Sequence, residues 1–155
     1  MSSWRMDDRP VTEQNRTLGA LLRLTYEAMQ REVYGALAAR GFPEIRPAHS
    51  AVFRHIGPGG SRLTTLAERA GMTKQSMAYL VEGLQAAGHL RSVPDPSDGR
   101  ARIVRLTARG EAVLAALLAL SGEAEARVAE RIGERRAGRL RRALEHWVAE
   151  LDEAG

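Results

Sequence analysis

Two stretches of helical periodicity, separated by one glycine, constrain this chain more than any other feature. Their apolar residues recur three and four positions apart, which is the spacing of one helix face. They are Leu63, Leu66, Ala67 and Ala70 in the first stretch and Met77, Leu80, Val81 and Leu84 in the second. Thr73 is placed to cap the second helix and Gly88 to end it. The pattern predicts a helix over 63–70, a tight turn at Gly71 and a helix over 73–87.

A charged hairpin is predicted directly after these helices. Residues 90–94 and 103–106 are short runs with β-branched side chains. The segment between them, residues 95–102, reads Asp-Pro-Ser-Asp-Gly-Arg-Ala-Arg, and its Pro, Asp, Ser and Gly residues favour tight turns. A helix, a turn, a helix and a hairpin in this order predict a helix-turn-helix with a β-hairpin wing. Arginines on such a wing suit a polyanion such as DNA.

The composition bounds the class of protein. The 155 residues are 44% hydrophobic and 27% charged, which is typical of a folded globular domain. Cysteine is absent, which excludes disulfides, thiolate catalysis and cysteine-based redox sensing. The net charge of +4 is compatible with a nucleic-acid partner without establishing one. Because no apolar run approaches the ~20 residues that span a bilayer, and residues 1–10 are too polar for a signal peptide, we expect a cytoplasmic protein with no membrane partner.

We expect a mainly α fold with a small β-hairpin wing, divided into four segments. Residues 1–10 show no periodicity and are predicted to form a flexible tail. Residues 11–46 are predicted to contain the N-terminal helix, residues 47–106 the winged helix-turn-helix, and residues 107–155 the C-terminal helices. The first helix and the last two carry more apolar surface than a domain of this size readily buries, so they are predicted to mediate dimerisation.

Local signals mark the ends of the other helices. The first helix is expected over 11–40, where Gly-Phe-Pro follows, and a second helix over 47–56, which begins with proline. Thr107 is expected to cap a long C-terminal helix, with a break near Gly133 and Gly138 before the last helix.

The helix predicted over 73–87 has an outward face suited to the major groove of DNA. Its apolar stripe docks on the preceding helix, and the N-terminal residues of such a helix commonly meet base edges. Gln75 can offer an acceptor and a donor to adenine, and Lys74 can reach guanine or a phosphate. The predicted contacts from this helix are Thr73, Lys74, Gln75, Ser76 and Tyr79. A solvated helix face is the alternative.

The predicted wing contacts are Asp98, Arg100 and Arg102. A guanidinium at this position can enter the minor groove, where the potential is most negative in narrow A·T tracts. Asp98 lies two residues before Arg100, and a bidentate pair between them is expected to hold the arginine in place. Asp95 is expected to stabilise the turn, as an aspartate before proline often does. An exposed loop whose charges merely keep it hydrated is the alternative.

Four motifs of this region resemble one known family. They are Leu66-Ala67-Glu68-Arg69-Ala70-Gly71-Met72-Thr73, Leu80-Val81-Glu82-Gly83-Leu84, Gly88-His89-Leu90, and Asp95-Pro96-Ser97-Asp98-Gly99-Arg100 running into Val104-Arg105-Leu106-Thr107-Ala108-Arg109-Gly110. In these four motifs the chain resembles the multiple-antibiotic-resistance regulator (MarR) family of bacterial winged-helix repressors. The resemblance covers residues 18–151 in element order and is specific over 63–110.

The resemblance implies a homodimer in which each winged helix reads half of a pseudo-palindromic site. The terminal helices would interlock, and the half-site centres would lie roughly 34 Å apart. It also implies release from DNA by a small aromatic or phenolic molecule bound between the DNA-binding and dimer regions. The candidates for binding such a ligand are Tyr26, Met29, His49, Phe53 and Arg54, the last of which suits an anion. Core packing is the alternative role of the apolar members.

No metal or cofactor is expected. His49 and His55 are six residues apart, which does not place them on one helix face. His89 and His146 are isolated in the sequence.

These observations predict a sequence-specific DNA-binding transcriptional regulator. We expect a repressor that acts as a homodimer on a pseudo-palindromic operator and is released by a small aromatic or anionic ligand. An enzyme is not expected, because the chain lacks a Gly-rich phosphate loop, a Gly-x-Ser-x-Gly elbow and a metal-binding His/Glu pair. A winged-helix module for nonspecific DNA or protein binding, without ligand control, is the alternative.

Overall fold

The computed structural model describes residues 16–154, which form α-helices and one antiparallel hairpin. The elements are α1 (Leu18–Leu37), α2 (Ser50–Phe53), α3 (Leu63–Ala70), α4 (Lys74–Ala86), β1 (Leu90–Asp95), β2 (Asp98–Leu106), α5 (Ala108–Ile132) and α6 (Glu134–Ala154). Two 3₁₀ turns, Ala38–Arg40 and Pro47–His49, flank the α1–α2 connection. The predicted fold class, a mainly helical winged helix-turn-helix with long terminal helices, is confirmed.

The first two helices are shorter at both ends than predicted. The first helix was expected over 11–40, but α1 begins at Leu18, where the Thr17 hydroxyl accepts a hydrogen bond from the Ala20 amide at 3.3 Å. Residues 11–15 and the predicted tail over 1–10 lie outside the described residues. The second helix was expected over 47–56, but α2 ends at Phe53 because the backbone turns toward the glycine-rich segment after Ile56.

The core joins the helix-turn-helix to the first and fifth helices. Leu66 of α3 and Met77 and Leu84 of α4 are fully buried, and they belong to one hydrophobic cluster with side chains from the other helices. Those other members include Leu37 from α1, Val52 from α2, and Val113 and Leu120 from α5. The apolar stripes of α3 and α4 are therefore used for packing, as predicted, and the opposite face of α4 faces solvent.

The hairpin is longer and its loop shorter than the sequence suggests. The predicted loop over 95–102 is wrong, because β2 begins at Asp98 and only Pro96 and Ser97 connect the strands. The pairing runs from Leu90 opposite Leu106 to Pro94 opposite Arg102, and after an irregularity in register it ends with Asp95 opposite Asp98. Cross-strand hydrogen bonding thus extends to the charged residues at the tip, which local composition alone does not reveal.

A short extended segment before α3 packs on the outer side of β2. Ser61 exchanges two backbone hydrogen bonds with Val104, at 2.9 and 2.8 Å. Gly60 allows this approach, since its φ is +94° and a Cβ there would lie 2.6 Å from the Val104 carbonyl oxygen. The wing is therefore attached to the start of α3 as well as to the end of α4.

Two long helices follow the wing. The Thr107 hydroxyl caps α5 by accepting from the Gly110 amide at 3.2 Å, as predicted, and α5 packs along α1. The break before α6 falls at Gly133, with φ +89°, whereas Gly138 lies inside α6. None of the residues of α6 is buried within the described chain. Among residues 16–154, no helix is long and apolar enough to cross a membrane.

Candidate nucleic-acid interface

The first turn of α4 is open to solvent and capped by its own hydroxyls. Thr73, Lys74, Gln75 and Ser76 are all exposed. The Thr73 hydroxyl accepts from the Ser76 amide at 3.1 Å and donates to the Ser76 hydroxyl oxygen at 2.9 Å. No acidic residue lies in this turn, so the positive end of the helix dipole is not offset there by a carboxylate of its own helix.

The exposed face of α4 continues to Tyr79. This side chain is 78% exposed, one turn beyond Gln75. Gln75, Ser76 and Tyr79 line a shallow groove of about 500 Å³ together with Ala48, Met72 and Leu80. All five residues predicted from this helix are exposed, and we call them together the α4 face (Thr73, Lys74, Gln75, Ser76 and Tyr79).

Asp95 organises the tip of the wing. Its Oδ1 accepts from the Ser97 amide at 2.9 Å and from the Ser97 hydroxyl at 2.7 Å, which confirms the turn role expected of it. Its Oδ2 lies 2.8 Å from Nε and 2.7 Å from an Nη of Arg62. The hydrogen bonds from Ser97, followed by that from Arg62, lower the pKa of Asp95 to about 2.

Asp98 and Arg100 do not form the side-chain pair that the sequence suggested. Asp98 Oδ1 accepts instead from the backbone amide of Arg100 at 3.1 Å, and Asp98 Oδ2 lies 3.8 Å from Arg62. The reason is geometric. The two residues lie two apart at the start of β2, and the Asp98 carboxylate reaches the backbone amide of Arg100 before its guanidinium. Arg100 itself is exposed at the wing tip.

Arg102 differs from Arg100 in its surroundings. Its Nε donates to the Ser92 hydroxyl oxygen and an Nη donates to the Ser92 carbonyl oxygen, both at 2.8 Å. The guanidinium of Arg102 thus crosses to β1 and braces the hairpin, while Arg100 lies nearer the turn. Of the two predicted wing arginines, Arg100 is therefore the one closer to the tip, where it is exposed.

A second group that sequence reasoning missed lies where the winged region meets α5. His89 is fully buried, and its Nε2 lies 2.7 Å from a Glu44 carboxylate oxygen that also accepts from Arg109 at 2.7 Å. The hydrogen bond from Arg109, with a smaller one from His89, lowers the pKa of Glu44 to about 2. The sequence suggested that His89 is isolated, but in the structure it pairs with Glu44. It thereby stabilises the junction between α4 and β1.

The five candidate ligand residues do not form one pocket. Phe53 belongs to the buried core, and Met29 faces a groove beside α6. His49 Nδ1 accepts from the Arg46 amide at 3.0 Å, and burial followed by the charge of Arg46 lowers the pKa of His49.

Tyr26 and Arg54 are the two ligand candidates that the structure brings together. The Arg54 guanidinium carbon lies 5.7 Å from the centre of the Tyr26 ring. Arg54 also donates to the Ser50 hydroxyl oxygen at 3.3 Å. Burial raises the pKa of Tyr34, and the side chain of Ser50 partly offsets that rise. Tyr34 and Ser50 are thus further members of this cluster. Among the described residues, no group of three or more His, Asp or Glu side chains is placed to hold a metal ion.

A helix-turn-helix followed by a hairpin wing defines the winged-helix class of DNA-binding proteins. Residues 45–101 match a family model described as MarR family. The transcriptional regulator HosA of Escherichia coli O111:H- is 36% identical over 77 residues, which are 49% of this chain and 57% of that protein. The matched segment thus spans little more than half of this relative's length. Over residues 45–101 the chain is therefore similar to the MarR family of winged-helix transcriptional regulators.

Solved structures agree over most of the chain. A crystal structure of the Mycobacterium tuberculosis MarR family protein Rv2887 in complex with salicylic acid is 28% identical, with a TM-score of 0.65, covering 92% of this chain and 99% of that one. The transcriptional repressor CouR, bound to a 23-mer DNA duplex, is 24% identical with a TM-score of 0.67, covering 94% of this chain and 99% of that one. The second likeness concerns the fold.

Proposed function

We propose that this protein is a sequence-specific transcriptional repressor that grips an operator with the α4 face in the major groove and Arg100 of the wing alongside. The observation that carries the proposal is the pairing of an exposed, acid-free first turn of α4 with an exposed arginine at the tip of a braced hairpin. Thr73 and Ser76 suit phosphate oxygens, whereas Gln75 and Lys74 suit base edges. The related fold of CouR, bound to a DNA duplex, supports this use of the fold.

We further propose a homodimer built by the terminal helices. The large apolar side chains that remain exposed in the described chain fall mainly on α1, α5 and α6. Those on these three helices are Leu18, Leu21, Tyr26, Leu118, Leu140, Trp147, Val148 and Leu151. A groove of about 620 Å³ lies along α6, lined by apolar side chains that include Met29, Val128 and Leu144. A second copy covering these surfaces would set two winged helices on a pseudo-palindrome, with half-sites roughly 34 Å apart.

A small aromatic anion is the proposed ligand. Tyr26 and Arg54 offer an aromatic face and a cation at the junction of α1 and α2, and Tyr34 and Ser50 extend the same cluster. A carboxylate could pair with Arg54 while its ring packs beside Tyr26. The salicylic acid complex of Rv2887 supports this ligand class. The proposal assigns no catalytic step to the chain, in keeping with its similarity to a family of transcriptional regulators.

Selection of genomic fragments tests the proposal against its alternative. Purified protein would be mixed with fragments of the source genome, and the retained fragments would be sequenced and titrated against unrelated duplex DNA. A repressor should prefer its operator by about 10³-fold or more at physiological salt. Salicylate added to the complex should then release the operator if the ligand proposal holds. Equal affinity for selected and unrelated DNA would instead identify a nonspecific winged-helix module.

A further inference from the structure

Arg62 joins the start of α3 to the tip of the wing across 33 residues of sequence. Its Nε and one Nη lie 2.8 and 2.7 Å from Asp95 Oδ2, and the same Nη lies 3.8 Å from Asp98 Oδ2. One guanidinium therefore faces both carboxylates of the wing turn. Asp95 is buried at this contact, whereas Arg62 and Asp98 retain close to half of their side-chain exposure.

The two carboxylates also fix the hairpin backbone through their other oxygens. Asp95 Oδ1 holds the amide of Ser97, and Asp98 Oδ1 holds the amide of Arg100. Each aspartate thus has one oxygen on the wing backbone and the other toward Arg62. The position of Arg100 depends in this way on a residue outside the wing.

The same carboxylates present an electrostatic difficulty for a wing that lies beside DNA. Two negative charges close to the phosphate backbone repel it, and the juxtaposition of like charges opposes association strongly. A cation that faces both carboxylates halves their net charge, from −2 to −1, and so lowers that repulsion. Arg62 has the geometry for this task, since its fork is directed at both carboxylates and not at a backbone carbonyl.

We propose that Arg62 is a positioning residue for operator binding, which acts on DNA through Asp95 and Asp98 by partly neutralising them and by orienting the wing tip that carries Arg100. The inference rests on the proposed function, because it presumes that the wing meets DNA. It assigns a role in DNA binding to the residue just before α3, acting through the wing and not through a phosphate contact of its own.

A charge-removal cycle tests the inference on an operator duplex selected by the wild-type protein. Arg62→Met keeps the aliphatic stem and should weaken operator binding by about tenfold or more, since two carboxylates then face the phosphates unopposed. Asn accepts at Oδ1 as Asp does, so Asp95→Asn with Asp98→Asn preserves the turn. Adding both changes to Arg62→Met should restore affinity to the wild-type level, a gain of about tenfold or more. With Arg62 intact, the two Asn changes alone should tighten binding by about threefold.

Arg139→Met serves as the matched control, because it removes the same charge from an exposed position on α6. It should leave operator binding within about twofold of the wild type. Unchanged binding of Arg62→Met would overturn the inference. Failure of the two Asn changes to rescue Arg62→Met would overturn it as well, since a direct phosphate contact or a purely geometric role cannot be replaced by removing carboxylates. A wild-type protein with no preferred fragment would instead contradict the proposed function itself.

Discussion

At the scale of single residues, the first turn of α4 divides its polar side chains between folding and recognition. Thr73 and Ser76 already use their hydroxyls to cap the helix and to bond each other. Such groups can still meet phosphate oxygens, but they offer little freedom to discriminate bases. Gln75 lies between them, exposed, with an amide that can donate and accept at once. Base choice should therefore depend on Gln75 more than on its hydroxyl neighbours.

Gln75→Ala is expected to relax sequence preference at one base position of each half-site. The loss should amount to about 1–3 kcal/mol of discrimination, because the adenine edge loses a bidentate partner. Selection of random duplexes, followed by sequencing, measures the change position by position. Gln85→Ala, near the other end of α4, is the matched control and should leave the preferred sequence intact. An unchanged sequence preference in Gln75→Ala would remove this residue from base readout.

The two wing arginines should respond differently to truncation. Arg100→Ala is expected to lower the slope of log affinity against log salt by about one unit, because one phosphate contact is lost. The Arg102 guanidinium is already hydrogen-bonded to Ser92, so Arg102→Ala should leave that slope unchanged. It should instead lower the free energy of unfolding by about 1 kcal/mol through lost hydrogen bonds. Salt titrations of operator binding distinguish the two, and equal slope changes would contradict this division of roles.

Glu44 should make part of the stability depend on pH. Its pKa falls from 4.5 to about 2 in the folded chain, first through the hydrogen bond from Arg109. A carboxyl with a depressed pKa stabilises the fold fully above pH 4.5 and loses that contribution as the pH falls toward about 2. Glu44→Gln should therefore be less stable at pH 7 and lose less stability over this acid range. Urea unfolding at pH 7 and pH 3 measures both effects, with the exposed Glu68→Gln on α3 as the control that should behave as wild type.

At the scale of elements, local signals in the sequence predicted most helix ends correctly. Thr73 caps α4 and Thr107 caps α5. Gly88, with a φ of +82°, follows the end of α4, which is the proposed recognition helix. Each of these signals acts within about four residues, so a sequence pattern reveals it. The length of β2 could not be read in the same way. Its charged start is a strand only because β1 pairs with it.

The contacts that complete the site were missed because they join distant positions. Arg62 meets Asp95 across 33 residues, and Glu44 meets His89 across 45. In the sequence, Arg62 is one of many arginines and His89 has no neighbour that suggests a partner. Charge pairs of this kind follow from tertiary packing, for which spacing gives no signal. The DNA-facing residues of α4 were easier to predict, since they lie opposite a buried stripe on one helix.

The junction between the recognition helix and α5 should tolerate almost no added volume. A Cβ at Gly110 would lie 2.1 Å from the His89 carbonyl oxygen, which is backbone and cannot rotate away. Gly110→Ala is therefore expected to lower the free energy of unfolding by about 3 kcal/mol or more. Gly122→Ala in the same helix meets nothing within 4 Å and should raise stability by about 0.5–1 kcal/mol. Thermal unfolding of the two variants checks the contrast, and similar melting temperatures would contradict the close approach.

At the scale of the whole molecule, α6 has an apolar side that the described chain does not bury. Leu140, Leu144, Val148 and Leu151 recur on one side of this helix, and none of them is buried. A helix with one apolar side gains little stability unless that side is covered. Covering α6 by a second copy would also fix the distance between two recognition helices. Dimerisation and operator reading are therefore expected to fail together.

Val148→Lys is expected to convert the protein into a monomer and to weaken operator binding by about 100-fold. Val148 lines the groove beside α6, so a lysine there would place a charge in the proposed interface. The lost affinity reflects the second half-site, which a monomer cannot engage at the same time. His146→Lys, on the opposite side of α6 and 77% exposed, should remain a dimer and bind as wild type. Sedimentation velocity and operator titration on the same samples measure both quantities. A Val148→Lys protein that stays dimeric would exclude this side of α6 from the interface. A monomeric variant that binds the full operator as tightly as the wild type would show that operator binding does not depend on dimerisation.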